Sequence, residues 1–147
     1  MAYDDRNIFA KILRGEAPAH IVFEDANSVA FMDLMPQVDG HTLVIPRTPA
    51  ENLFDIEPSA LALLMRTTQL VARGVQAAFD AQGVMIAQLN GSAAGQSVFH
   101  LHFHILPRNH GIEFKLHART AADASVLAGH ARRIRAALAT LDAKSHR

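Results

Sequence analysis

A chain of 147 residues, half of them hydrophobic, has enough material for one domain with a sizeable core. Its 14 basic and 14 acidic residues cancel, which leaves no extended basic surface for a nucleic-acid backbone and points to a small ligand or a protein partner. Cysteine is absent, which excludes disulfides and thiolate metal sites; no apolar run spans a membrane, and MAYDDRNIF is acidic where a secretory signal is basic, so a cytoplasmic setting is expected.

In chain order, DDRNIFAKILRGEAP predicts a short helix, with Asp4 or Asp5 as its cap, Ile8, Phe9, Ile12 and Leu13 as its apolar face, and Gly15 then Pro18 as its stop. IVFED and SVAFMD predict paired strands around a turn at Asp25, Ala26 and Asn27. The loop LMPQVDG leads to a further strand, HTLVIPR. From Pro58 to Gln82 the apolar spacing is helical, with Pro58 in the first turn and Gly83 as the stop; this is predicted to be the longest helix. VMIAQLN follows as a strand, then the loop NGSAAGQS, then the strand FHLHFHIL. Beyond Pro107 the pattern weakens until AADASVLAGHARRIRAALATLDA, a terminal helix. Helices set apart from a run of strands predict an α+β domain: a mainly antiparallel five-stranded sheet, a short N-terminal helix, one long helix and an extra C-terminal helix. The core is expected over about 7–108, with 109–147 as an extension of the same single domain.

FHLHFHIL places His100, His102 and His104 at alternate positions. On a strand all three imidazoles share one face, while Phe99, Leu101, Phe103 and Ile105 turn toward a core. Three readings are open to this ladder. The first is a solvated face on which the histidines are incidental. The second is a zinc site, but His100 and His104 stand roughly 13 Å apart along a strand, so at most two neighbours could share an ion. The third is nucleophilic catalysis at phosphorus: an imidazole with one nitrogen held by a hydrogen bond presents the other as a nucleophile, and its neighbours stabilise the phosphoryl oxygens. The adjoining loop favours the third, since Gly91 and Gly95 let backbone N–H groups approach an anion and Asn90, Gln96 and Ser97 add donors.

Asn90 to Arg108, NGSAAGQSVFHLHFHILPR, closely resembles the signature of the histidine triad (HIT) family. IFAKILRGEAPA, VFEDANSVAFMD and PQVDGHTLVIPR resemble the family's opening helix, first hairpin and third strand, so the similarity runs over about 7–108. The resemblance implies a hydrolase or transferase acting on the α-phosphate of a purine nucleotide derivative, either a phosphoramidate or a dinucleoside polyphosphate. It implies a covalent nucleotidyl-histidine, a homodimer and no metal or other cofactor in the chemistry. Carried over by position, His102 is the nucleophile, His104 bonds the α-phosphate, His100 holds His102 through its backbone carbonyl, and His41 backs the triad. Asn90, Gly95, Gln96 and Ser97 match phosphate or ribose contacts, with Gln96 or Ser97 near the leaving-group oxygen. Asp33 matches the carboxylate that takes the ribose hydroxyls, and Phe9, Ile12, Phe31 and Leu34 resemble the apolar slot for the base. The alternative function is a nucleotide-binding or scaffold protein without turnover.

Two departures stand out. Ala10 and Pro49 occupy the places where many bacterial relatives carry a cysteine and a histidine of a structural zinc site, so no bound zinc is expected. There is no tryptophan in the tail, where the nucleoside phosphoramidase branch has one. His20, His110, His117, His130 and His146 match no motif and are expected on the surface.

Overall fold

A computed structural model describes residues 2–113 and 120–145. Its elements are α1 (Ile8–Leu13), β1 (Ile21–Glu24), β2 (Ser28–Met32), β3 (Thr42–Pro46), α2 (Pro58–Ala78), β4 (Gly83–Ala87), β5 (Phe103–Arg108) and α3 (Ala124–Ser145). The strands form one five-stranded sheet in the order β1-β2-β3-β5-β4, and every neighbouring pair is antiparallel. This is the α+β architecture that the sequence predicts. No helix among the described residues is long and apolar enough to cross a membrane.

Period-two alternation decides which side of the sheet each residue meets. Ala30, Met32, Val44, Phe103 and Ile105 turn to one face, where Leu64, Val71 and Val75 of α2 and Leu127, Ala131 and Ile134 of α3 cover them. Val29, Phe31, Leu43 and Ile45 turn to the other and pack with Phe9 of α1. β2 and β3 are therefore buried on both faces, and their runs of apolar and small residues suit that place. The C-terminal helix α3, which at 22 residues exceeds the 21 of α2 against the expectation that the latter is the longest, lies against α2 and β1, so the extension shares the larger core.

Several boundaries differ from the sequence expectation, each for a local reason. Asn7, and neither Asp4 nor Asp5, caps α1, because its side-chain oxygen accepts from Ala10 N–H at 2.9 Å while Asp4 is held by Arg6. α2 ends at Ala78 rather than running to Gln82: Phe79 leaves the helical region, Asp80 takes a left-handed φ of 47°, and Gly83 opens β4 instead of stopping the helix. β5 begins at Phe103, so Phe99 to His102 precede the sheet. Phe99 is 37% exposed and does not join the core, whereas Leu101, Phe103 and Ile105 do. Among the unassigned histidines, His110 is exposed but His20 is only partly so, and His130 packs edge-on against Phe79 at 5.1 Å. His117 and His146 lie outside the described residues.

Gly40 fixes the approach to β3. Its φ of +89° belongs to the left-handed region, and a Cβ there would stand 2.9 Å from both the Phe79 ring and Pro107 Cγ. Conformational strain of roughly 1–2 kcal/mol adds to an overpacking cost of about 1–3 kcal/mol. Gly40→Ala is therefore expected to lower unfolding stability by about 2–5 kcal/mol, read as a lower urea midpoint with the m-value unchanged.

Candidate active site

The face of the sheet turned toward α1 carries the histidines. His104 projects from β5 opposite Leu43 of β3, and His102 stands one residue before the strand begins. Phe9 of α1 lies edge-on to His102 with ring centroids 5.0 Å apart, and the His102 and His104 rings are separated by 4.9 Å. The shared side that alternation predicts is thus packed beneath a helix rather than solvated: His100 and His102 are buried.

The chemistry of each partner fixes where the protons sit. His102 Nδ1 lies 2.7 Å from the backbone oxygen of His100, which can only accept, so Nδ1 carries the proton and Nε2 keeps its lone pair. Burial pushes the His102 pKa down, opposed by that bond, which favours the neutral, singly protonated ring at neutral pH. His100 is closed at both nitrogens: Nε2 donates to Pro46 O at 2.8 Å and Nδ1 meets the Tyr3 hydroxyl. Gln37 N–H donates to His41 Nδ1 at 3.1 Å, which leaves the His41 proton on Nε2, directed at His104 Nδ1 2.9 Å away. The His104 proton is then on Nε2, the nitrogen free to donate to a ligand. Burial is the first cause that holds His41 down to about 3, ahead of its His104 and His102 neighbours, and it holds His100 and His104 to about 4. All of these rings act as neutral donors and acceptors.

Asp33 follows β2 and lies 3.4 Å from His41 Nε2, its Oδ1 accepting from Met35 N–H at 2.9 Å. Burial lifts its carboxyl to about 6 against that hydrogen bond. Asp33, His41 and His104 bring one donor atom each within 4.8 Å of one another, the spacing of a metal-ligand set. Their surroundings do not fit one. A ligating histidine gives its other ring N–H to an acceptor, whereas His41 Nδ1 accepts a hydrogen bond from Gln37 N–H, which keeps the His41 proton on the nitrogen that would have to ligate. The hydrogen-bonded path runs instead from Gln37 N–H through His41 to His104, with the Asp33 carboxylate 3.4 Å from the same His41 Nε2.

A cleft of about 640 Å³ opens onto His102 and His104. Phe9, Ile12, Phe31 and Leu34 give it apolar walls, while Asp33, Gly95 and Ser97 join the two histidines in lining it. His41 and His100 stand behind these, touching the cleft only through His104 and His102. Two expected ligands are turned away. Gln96 is buried, its Nε2 donating to Glu51 O and Val98 O and its Oε1 accepting from Gly91 N–H, so it clamps the loop instead of facing the cleft. Asn90 exchanges hydrogen bonds with Gln88 and accepts from Leu53 N–H. Gly91 N–H is spent on Gln96 and Gly95 N–H on Ser92 O, so neither glycine N–H is free to hold an anion. Tyr3, Gln37, Ala19, Met35 and Leu89 also belong to the site or its support and were missed. Gln37 acts through its backbone, Tyr3 through a contact with a residue 97 positions away, and the others are ordinary apolar residues, so no sequence pattern marks them.

The HIT domain model matches residues 14–111. "Protein hit" of Bacillus subtilis is 38% identical over 116 residues, which is 76% of this chain and 80% of that protein. The Hit-like protein of Bartonella henselae superposes with a TM-score of 0.89 at 44% identity, covering 93% of this chain and 99% of that one. Adenylylsulfatase HINT3 of Arabidopsis thaliana is 35% identical over 101 residues, 69% of this chain and 51% of that protein.

Burying neutral imidazoles links stability to pH. His41, His100 and His104 bind protons more weakly folded than unfolded, so between about 4 and their ordinary value of 6.5 the unfolded chain holds more protons. Stability then rises with pH across that window. Asp33, raised from 3.8 to about 6, works in the opposite direction as one group against three. Urea midpoints should climb between pH 4.5 and 6.5, and His41→Phe should flatten the climb.

Proposed function

The chain belongs to the HIT family, and we propose that it is a hydrolase or transferase acting at the α-phosphate of purine nucleotide derivatives through a nucleotidyl intermediate on His102. One observation carries this reading: the bond from His102 Nδ1–H to the His100 carbonyl leaves the other ring nitrogen bare at the floor of a cleft. A protein that only bound a nucleotide would have no use for that tautomer. That an adenylylsulfatase stands among the relatives agrees with chemistry at a nucleotide phosphorus.

In the first step the Nε2 lone pair forms an N–P bond as the bond from phosphorus to the leaving group breaks. The leaving group, a phosphoramidate amine or a second nucleotide, departs with that electron pair and takes a proton from water. His104 Nε2–H donates to a phosphoryl oxygen, and because His41 and Gln37 fix its direction, no reorientation is needed as charge builds. Water then attacks phosphorus, the N–P bond breaks, and the nucleoside monophosphate leaves with His102 restored. Asp33, at the rim of the apolar slot, takes the ribose hydroxyls, while Phe9, Ile12, Phe31 and Leu34 take the base. Gly95 and Ser97 stand on the phosphate side, with Ser97 nearest the leaving group. Gln96 and Asn90 contribute by holding the loop that presents them.

A second copy completes the proposed assembly. Among the described residues β4 is an edge strand that pairs only with β5, and Met85 and Ile86 on it are 38% and 41% exposed. Met65 and Ala72 of the adjacent α2 line one groove with Val84 and Ile86 and extend the apolar surface beside that edge. Antiparallel pairing of two β4 edges about a twofold axis covers it in both subunits.

Intact-mass spectrometry after rapid acid-free quenching with adenosine 5′-phosphoramidate should give an adduct of one AMP, and His102→Ala should give none and lower kcat by at least about 10³-fold. Tight binding without turnover in the parent protein would favour the binding-protein reading instead. Ile86→Lys should shift the species seen by light scattering from dimer to monomer; a parent that is already monomeric would rule out this interface.

A further inference from the structure

The N-terminal segment reaches the far side of the histidine ladder. Tyr3 meets the ring of His100, edge to face at 5.6 Å, and its hydroxyl bonds His100 Nδ1. The direction of that bond follows from the other nitrogen. Pro46 O can only accept, so the His100 proton is on Nε2, Nδ1 is a bare acceptor, and the hydroxyl must donate. The phenol oxygen in turn accepts from Asn7 Nδ2–H at 2.9 Å, while Asn7 Oδ1 caps α1 through Ala10 N–H. One ordered path therefore runs from the start of α1 through Tyr3 and the fully buried ring of His100 to Pro46 of β3.

We propose that Tyr3 is a positioning residue that holds His100 neutral and immobile, so that the His100 carbonyl stays aimed at His102 Nδ1 and the bare nitrogen of His102 stays aimed at the cleft. This rests on the reading of His102 as the nucleophile. Two effects work in one direction. A hydroxyl that donates to Nδ1 occupies the lone pair that a proton would take, and an imidazolium at His100 would place a positive charge beside His102 and draw basicity from it. Fixing both ring nitrogens also fixes the peptide group whose oxygen is only 2.7 Å from His102 Nδ1. Tyr3 lies outside the cleft lining, so it does this without touching the nucleotide. The titratable and charged groups that bear on this pair are His102 on the side of His100, and Asp4, Asp5 and Arg14 on the side of Tyr3. The Tyr3 hydroxyl itself is held above its ordinary pKa, first by burial, and stays a donor at neutral pH.

Long-range ¹H–¹⁵N NMR of the full chain labelled at histidine reads each ring directly. In the parent protein, His100 should show a protonated Nε2 and a bare Nδ1, and His102 the reverse; a His100 proton on Nδ1 overturns the proposal whether or not any variant folds. Tyr3→Phe removes one oxygen and keeps the ring. It should raise the pKa of His100, let the second His102 tautomer appear, and lower kcat on adenosine 5′-phosphoramidate by about tenfold with KM within about twofold, as misaimed groups do. The acid limb of the kcat profile should move to higher pH. An unchanged kcat profile together with unchanged His100 and His102 nitrogen shifts in Tyr3→Phe would defeat the proposal. Should the parent fail to turn over nucleotides at all, the nucleophile reading falls, while the nitrogen shifts still report whether Tyr3 controls the two rings.

Discussion

The hydrogen bond from His102 Nδ1 to the His100 carbonyl is the constraint around which the rest of the site is arranged. It depends on a feature of the backbone. Inside a sheet that carbonyl would be committed to a neighbouring strand, and a ring two residues along could not have it. Here regular pairing of β5 begins only at Phe103 opposite Val44. The residues before it lie alongside another segment instead, with Leu101 N–H donating to Ala50 O. The ladder thus leaves the sheet where a free carbonyl is required, while His104, one step inside, is held by strand pairing and by His41.

Alternation made the fold and the ladder legible. Parity in FHLHFHIL put His102 and His104 opposite Phe103 and Ile105, whereas SVAFMD and HTLVIPR read only as strands, and their burial on both sides, with Val29, Phe31, Leu43 and Ile45 against Ala30, Met32 and Val44, comes from α1 on one face and α2 and α3 on the other. What parity could not say is where a strand stops being paired, because Phe99 to His102 read as well-formed strand and only the tertiary partner, Ala50, ends it. Helix ends were obscured for a similar reason: Gly83 and the two aspartates are good stop and cap residues, but Phe79, Asp80 and Asn7 reached the partners first.

Site residues divided along a comparable line. Those whose side chains the proposed function brings to a ligand, Asp33, Ser97, His102 and His104, line one cleft with the apolar positions Phe9, Ile12, Phe31 and Leu34. Gln96 and Asn90 looked like ligands because an amide can donate to phosphate as readily as to a carbonyl. Sequence cannot weigh the two, and in the folded loop their bonds to Glu51, Val98, Gln88 and Leu53 take precedence. Residues acting through the backbone, such as Gln37 and Pro46, are invisible to any reading by side-chain type.

The arrangement also sets a tension between stability and chemistry. A neutral, desolvated imidazole is a better nucleophile and a more directional donor than a solvated one that spends part of its time charged, yet each buried ring penalises the folded state as the pH falls. Placing the cluster against β2 and β3, whose opposite faces are closed by α2 and α3, surrounds it with apolar burial on both sides of the sheet. Hydrogen bonds meet the polar demand inside that setting: Pro46 O, His100 O and Gln37 N–H each occupy one ring nitrogen, and Tyr3 and His104 occupy the next. One nitrogen each on His102 and His104 is left for the cleft, the first bare and the second protonated, which is the pair of opposite functions that attack on a phosphoryl group requires.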